Sequence, residues 1–249
     1  VNSDYSEGLA EEFVKVFEKK GGKVLDTLAY ATNDVDYSSQ LTKVKAENPD
    51  VIFVPGYYNE VALLVKQARD LQIKATFLGG DGWDNGKLFE VAGAAVTGSF
   101  VSSHFSPESQ DPMIQNFLKD YIAMFKEDPS VLSALGFDAA GIMIEAMKKS
   151  TKISGEEIKN NINSTKDYKG VTGNINIDSN RNAVKSAFVL EAKDGGFKYK
   201  TTVEPFKEEA LAATATKSEE TKKDNKSKII FALIAVAAAV AIVIAKKKK

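Results

Sequence analysis

The sequence NPDVIFVPGYYNEVALLVKQARDLQIKATFLGGDG, residues 48–82, decides the fold class. Residues 50–55 are a short apolar run, typical of a strand that is buried on both faces. Residues 59–71 repeat apolar side chains at helical spacing, and residues 75–78 predict a second strand that enters the Gly-rich turn 79–82. A strand, a helix and a strand in that order predict a parallel pair with a right-handed crossover.

The same alternation extends on both sides of this stretch. Before it, helices at 6–20 and 37–47 flank a strand at 23–30. After it, a short helix at 88–92 precedes a strand at 96–102. The chain up to this point therefore predicts an α/β lobe built on a parallel sheet.

The pattern changes after Phe105. Two long helices, at 113–125 and 131–148, follow each other with no strand between them. The remaining predicted elements are a helix near 155–162 and strands at 171–177, 185–192 and 197–203, the last two joined as a hairpin. This segregation of helices from strands predicts that the chain has entered a second lobe.

Composition excludes several classes of function. The chain has 33 Lys plus Arg against 34 Asp plus Glu, a net charge of −1, so no basic excess favours nucleic acid as a partner. It has no Cys and a single residue of His, His104, which excludes disulfides, Cys-based metal centres and His-rich metal sites. We therefore expect no metal, and we expect a structural role for His104.

Enzymatic motifs are also missing around the Gly-rich turn. The segment GGDGWDNG, residues 79–86, lacks the Lys-Ser/Thr end of a phosphate-binding loop and does not match the dinucleotide fingerprint. Asp81 and Asp84 have no companion nucleophile or base that would support an acid/base pair. We expect neither a cofactor nor catalysis.

The C-terminal end carries an uninterrupted apolar run at 229–245, preceded by a charged linker at 206–228 and followed by a lysine tail at 246–249. As a helix the run would cover roughly 25 Å, within the range of spanning segments once flanking lysines snorkel. We predict a transmembrane helix that anchors a binding domain, residues 1–205, with the lysine tail in the cytoplasm. A buried core helix is the alternative.

The chain enters its first helix without a leading strand. A βαβ sheet ordinarily begins with a strand, yet the amphipathic helix at 6–20 follows Val1 almost at once. We therefore expect the N-terminal part of a longer parent protein to be missing, and apolar surface to be exposed as a result.

A series of short motifs follows one another along the chain. They are DYSEGL at 4–9, DYSSQL at 36–41, NPDVIF at 48–53, GYY at 56–58, QAR at 67–69, GGDG at 79–82, GFDAA at 136–140 and YKGVTG at 168–173. Each motif alone is weak, but the ordered set resembles the branched-chain amino-acid binding proteins of ABC transporters over residues 3–204.

This resemblance implies the type I periplasmic-binding fold, in which two doubly wound α/β lobes close on an amino acid held between them. It places residues 1–103 and 184–204 in the second lobe and residues 105–180 in the first lobe, which is incomplete in this chain. The first-lobe residues that would hold the ligand carboxylate are absent from this sequence.

The resemblance also assigns a role to Asp81. An amino acid that leaves water needs an anionic partner for its ammonium group, donors for its carboxylate and an apolar wall for a branched side chain. Asp81 follows a strand end in a Gly-rich turn, where ligands dock in open α/β sheets. The resemblance implies that Asp81 binds the ammonium; the best-known members carry Glu there, so Asp implies a shorter reach or a different ligand. A turn-forming role is the alternative.

Three aromatic residues complete the predicted ligand site. The resemblance implies that Tyr57 lies over the ligand and that Tyr5 helps wall the pocket. The alternatives are a surface aromatic at Tyr57 and a packing residue near the helix start at Tyr5. Trp83, the only Trp in the chain, is expected either to cover the ligand or to pack at the lobe edge.

We predict from these features a solute-binding receptor, not an enzyme, that captures an amino acid by hinge closure and delivers it to an ABC permease. The ligand is expected to be branched-chain or similarly apolar. The receptor would lie on the extracytoplasmic face of the membrane, periplasmic or at the cell surface. The alternative is a ligand-sensing receptor or regulatory domain of the same fold with no transport role.

Overall fold

The computed structural model describes residues 4–205 and, by their backbone, residues 242–247. The chain divides into two compact units. The sheet unit contains the chain up to Ser103, Val189–Thr201 and the C-terminal strand. The helix unit contains His104–Phe188 and residues 202–205.

Helices and strands alternate up to Ser103, and three helices followed by strands come after it. In chain order the elements are α1 (Asp4–Lys19), β1 (Gly22–Leu28), α2 (Ser38–Glu47), β2 (Val51–Phe53), α3 (Tyr58–Asp70), β3 (Thr76–Gly79), a 3-10 turn (Asp81–Trp83), α4 (Lys87–Ala92), a second 3-10 turn (Gly93–Val96), β4 (Phe100–Ser103), α5 (Pro112–Phe125), α6 (Val131–Lys149), α7 (Gly155–Asn163), β5 (Tyr168–Gly170), β6 (Gly173–Ile177), β7 (Ala183–Val184), β8 (Ala187–Lys193), β9 (Gly196–Val203) and β10 (Ile242–Lys247).

A seven-stranded sheet forms the centre of the sheet unit, in the order β1-β10-β2-β3-β4-β8-β9. β2 pairs in parallel with β3, and β3 pairs in parallel with β4. All three residues of β2 are buried, as expected for a central strand with an apolar run. The parallel arrangement predicted from residues 48–82 is therefore confirmed.

The helix unit contains α5, α6 and α7 and a separate three-stranded sheet, β5-β6-β7. The strand predicted at 171–177 is wrong in part, because β5 and β6 form an antiparallel hairpin that pairs Gly170 with Gly173. Several large apolar side chains of α5 and α6 lie in solvent, with Met124 73% and Leu132 71% exposed. An open apolar groove of about 690 Å³ runs beside them.

Most of the transmembrane helix predicted at 229–245 falls outside the described residues, and the structure differs from the prediction at residues 242–245. Residues 229–241 lie outside the described residues, whereas residues 242–245 belong to β10, which pairs antiparallel with both β1 and β2. Within the described chain, no helix combines the length and the apolarity that crossing a bilayer requires. An apolar run alone does not distinguish a helix from a buried strand. The β-branched residues at 242–244 favour a strand where two sheet edges offer backbone partners.

Two of the sequence motifs meet inside the helix unit. The buried carboxylate of Asp138, in α6, accepts hydrogen bonds from the backbone N–H groups of Val171 and Thr172 at 2.8 Å each, and from the Thr172 hydroxyl at 2.6 Å. A Cβ on Gly170 would lie 2.5 Å from this carboxylate, so only glycine allows the approach. Lys185 donates to the Thr172 hydroxyl at 2.6 Å. The network fastens α6 to the turn between β5 and β6.

We expect Asp138→Asn to destabilise the protein by about 3 kcal/mol, because an amide cannot accept all three hydrogen bonds and buried donors lose their partner. Chemical denaturation measures the change in unfolding free energy. The matched control Asp120→Asn alters an exposed carboxylate of the same unit and should change stability by less than about 0.5 kcal/mol. Equal stability of the two variants would contradict the role of Asp138.

We expect removal of β10 to loosen β1, because β10 is the strand that joins β1 to the rest of the sheet. A chain that ends at residue 241 should show amide hydrogen exchange in β1 faster by about tenfold or more, with α5 unchanged. A chain that ends at residue 247 keeps the strand and serves as the control. Identical exchange in the two shortened chains would show that β10 does not hold β1.

Candidate functional site

The candidate site lies where β2 and β3 end. Parallel strands leave a sheet at the same edge, and the pairing of β2 with β3 continues past β2, since Val54 N–H donates to the Leu78 carbonyl at 2.8 Å. The chain after β2 leads to Tyr57, directly before α3. The chain after β3 leads to Asp81, the first residue of the 3-10 turn. The two turns are therefore neighbours at one edge of the sheet.

Tyr5 joins these turns from the first turn of α1. Its hydroxyl donates to Asp81 Oδ1 at 2.8 Å and accepts a hydrogen bond from the Gly82 backbone N–H at 3.1 Å. One phenolic hydroxyl thus connects the start of the chain to the turn after β3, across a separation of more than seventy residues. The structure brings two of the predicted site residues, Tyr5 and Asp81, into direct contact.

The rings of Tyr5 and Tyr57 stack at the same place. Their centroids are 5.0 Å apart and the ring planes are inclined by 18°. Tyr5 is half-buried, while Tyr57 is 46% exposed and presents the outer surface of the stack. A pair of stacked rings next to a carboxylate offers an apolar surface and an anionic group side by side.

Glycine allows the two turns to approach each other closely. A Cβ on Gly82 would lie 2.7 Å from the Gly56 carbonyl oxygen, 2.9 Å from the Tyr5 hydroxyl and 3.3 Å from Cδ1 of Tyr57. Gly56 in turn packs against Tyr30, whose hydroxyl would lie 2.2 Å from an added Cβ. Side chains at either position would push the site apart.

The electrostatic environment keeps Tyr5 neutral. Burial and the negative charge of Asp81 both raise the pKa of Tyr5 far above its ordinary value. The phenol is therefore a permanent hydrogen-bond donor to the carboxylate at physiological pH.

A second carboxylate, that of Asp84, follows Asp81 in the same turn. Burial raises the pKa of Asp84, the charge of Asp81 raises it further, and a hydrogen bond from Ser103 opposes both effects. The Ser103 hydroxyl donates to Asp84 Oδ2 at 2.7 Å. The turn thus presents Asp81 toward the tyrosines and directs Asp84 to the end of β4.

The structure places Trp83 in the core beneath the turn. The indole is fully buried, and its N–H donates to the Val54 carbonyl at 2.8 Å. A Cβ on Gly79 would lie 2.4 Å from the ring, so the indole sits directly against the β3 backbone. Trp83 packs between the turn and the β3 backbone. It is buried, whereas Tyr57 is exposed to solvent.

Sequence reasoning missed Gly82, Ser103 and the structural use of Asp84. The repeated glycines of residues 79–82 signalled a tight backbone approach, but a sequence does not show which atoms meet there. Nothing near Ser103 in the sequence pointed to Asp84, because the partners come together only when β4 lies beside the turn. In the part of the chain that the structure describes, no cluster of acidic or His side chains is arranged to hold a metal.

Comparison with known sequences identifies a family. The pattern of the family described as "Periplasmic binding protein" matches residues 1–197. The Leu/Ile/Val-binding protein homolog 1 of Brucella abortus (strain 2308) is 26% identical over 204 residues, which cover 78% of this chain and 53% of that protein. The leucine-, isoleucine-, valine-, threonine-, and alanine-binding protein of Pseudomonas aeruginosa is 26% identical over 175 residues, 70% of this chain and 46% of that protein. The chain spans about half the length of these curated relatives.

Solved structures show the same likeness. The leucine binding protein LivK from Thermotoga maritima MSB8 superimposes with a TM-score of 0.76 at 35% identity, over 82% of this chain and 58% of that one. A second neighbour is LivJ from Streptococcus pneumoniae, a branched-chain amino acid transporter substrate binding protein in complex with isoleucine. It superimposes with a TM-score of 0.69 at 32% identity, over 82% of this chain and 57% of that one.

We expect Gly82→Ala to destabilise the protein by about 1–3 kcal/mol, because the added methyl group must displace the Gly56 carbonyl or the Tyr5 hydroxyl. Denaturation followed by the fluorescence of Trp83 measures the change. Gly86→Ala is the matched control, since a Cβ on Gly86 would meet no atom within 4 Å. If the two variants unfold at the same denaturant concentration, the close approach at Gly82 does not exist in solution.

Proposed function

Because the chain belongs to the periplasmic binding protein family, we propose that it is an extracytoplasmic receptor that binds an amino acid and delivers it to an ABC permease. The ligand is a branched-chain or similarly apolar amino acid, as the names of the relatives and of the solved neighbours indicate. The observation that carries this proposal is the contact of Tyr5, Tyr57 and Asp81 at the carboxyl ends of β2 and β3.

Asp81 is the partner of the ligand ammonium in this proposal. A carboxylate has about four lone-pair positions, and the Tyr5 hydroxyl uses one of them on Oδ1. An ammonium group donates up to three hydrogen bonds and carries the positive charge that pairs with the carboxylate. The shorter side chain of Asp, compared with Glu, requires the ammonium to come close to the turn.

The stacked rings of Tyr5 and Tyr57 supply the apolar surface for the ligand side chain. Tyr57 is 46% exposed, so a branched aliphatic group laid on the ring buries apolar area on both partners. Charge recognition by Asp81 and apolar contact with the tyrosines together match an amino acid that has one ammonium group and an apolar side chain.

Capture requires no chemical step. Asp81 accepts hydrogen bonds, Tyr5 stays protonated, and the site contains no activated nucleophile among the residues that form it. The resemblance assigns the carboxylate of the ligand to residues of the first lobe, and capture to the closure of two lobes on the ligand. Delivery to a permease is likewise part of the proposal.

We place the receptor outside the cytoplasm, in agreement with its family. The C-terminal transmembrane helix is not part of this proposal, because residues 242–245 lie in β10. The proposal therefore rests on the ligand site and the family, and does not depend on how the protein is held near its transporter.

We expect L-leucine to shift the backbone amide NMR signals of Tyr57 and Gly82 in the 249-residue chain at millimolar concentration. Asp81→Asn should weaken binding by ~1.5–3 kcal/mol, since a charge-assisted hydrogen bond is lost. N-acetyl-L-leucine, which has no ammonium group, is the control ligand and should cause no shift. Unchanged affinity in Asp81→Asn would return Asp81 to a turn-forming role, and no response to leucine, isoleucine or valine would contradict amino-acid binding.

A further inference from the structure

The turn that holds Asp81 is also attached to the place where the chain leaves the sheet unit. Ser103 is the last residue of β4 and of the first stretch of the sheet unit, and His104 begins the helix unit. The hydroxyl of Ser103, a fully buried residue, donates to Asp84 at 2.7 Å. This hydrogen bond connects the candidate ligand turn to the residue that precedes the first crossover of the chain.

The turn between the two carboxylates is short and internally bonded. Asp84 N–H donates to the Asp81 carbonyl at 2.9 Å, and Trp83 N–H donates to the Gly80 carbonyl at 3.1 Å. The indole of Trp83 is held by the Val54 carbonyl. Because these bonds close the turn on itself, a displacement at Asp81 is carried to Asp84 rather than absorbed between them.

Asp84 has the environment of a fixed group. Burial raises the pKa of its carboxyl, and the bond from Ser103 satisfies Oδ2 inside the protein. Its Oδ2 is bonded to Ser103 at the end of β4, whereas Asp81 is bonded to Tyr5. This position suits a residue that relays the effect of ligand binding without contacting the ligand.

We propose that Asp84 is a positioning residue that couples ligand binding at Asp81 to the end of β4, through its hydrogen bond with Ser103. This inference rests on the proposed function, because it needs a ligand at Asp81. Ligand binding displaces the turn. The turn displaces Asp84, and Asp84 in turn displaces Ser103 and the crossover that begins at His104.

The chain provides one reporter at each end of this path. It has a single Trp, Trp83, in the turn and a single His, His104, at the crossover, so tryptophan fluorescence and the imidazole NMR signals are each unambiguous. In the unaltered 249-residue chain, titration with L-leucine should change both signals with the same half-saturation concentration.

Breaking the bond should separate the two reporters. At saturating L-leucine, Ser103→Ala and Asp84→Ala should keep the Trp83 response and reduce the His104 response about fivefold or more. Asp84→Asn retains an acceptor oxygen for Ser103 and should restore the His104 response. Ser99→Ala is the matched control, because the buried Ser99 hydroxyl has no hydrogen-bond partner among the described residues; its response should equal that of the unaltered chain.

A measurement without ligand tests the attachment alone. Asp84→Ala should accelerate amide hydrogen exchange at the end of β4 by about tenfold, while β2 and β3 keep their protection. A full His104 response in Ser103→Ala, or failure of Asp84→Asn to restore it, would overturn the coupling while leaving amino-acid binding intact. If the unaltered chain shows no response to leucine, both the proposed function and the coupling are overturned. If amide exchange in Asp84→Ala is unchanged, the attachment of Asp84 to the end of β4 is overturned.

Discussion

Parallel pairing of β2 with β3 is the constraint on which the candidate site depends. Because the two strands run in the same direction, the turns that follow them leave the sheet at one edge, and Tyr57 and Asp81 become neighbours. The separation between the turns is set by backbone atoms, since Gly82 lies against the Gly56 carbonyl with no room for a side chain. The tyrosine stack and the contact with Asp81 both follow from this spacing.

Some polar side chains around the sheet hold its elements together, whereas others form the candidate site. Arg69 lies over the ring of Phe77 and donates to the carbonyls of Ile73, Ala75 and Ala95, which ties α3 to the segment that leads into β3. Burial of its guanidinium lowers the pKa of Arg69, and the three carbonyl bonds satisfy three of its five N–H donors. These bonds hold α3 against the start of β3, whereas the candidate site lies at the other end of that strand.

Short-range patterns predicted most elements of the sheet unit, because amphipathic spacing and Gly or Pro boundaries are local properties. The helix predicted at 59–71 is α3, Tyr58–Asp70, and the helix predicted at 131–148 is α6, Val131–Lys149. The structure differs from the prediction where a local pattern has two solutions. An apolar run fits a helix or a strand, and residues 242–245 form a strand that pairs with both β1 and β2.

The sequence by itself determined the α/β class, the parallel order of β2 and β3 and the exclusion of cysteine chemistry, and its resemblance to a known family pointed to Tyr5, Tyr57 and Asp81 as candidates. Only the tertiary structure decided that Trp83 packs beneath the turn, that Tyr5 donates to Asp81, and that Asp84 is bonded to Ser103. The physical reason is distance along the chain. Periodicity and turn chemistry act over a few residues, whereas hydrogen bonds between segments such as Tyr5 and Asp81 form only after the sheet has brought them together.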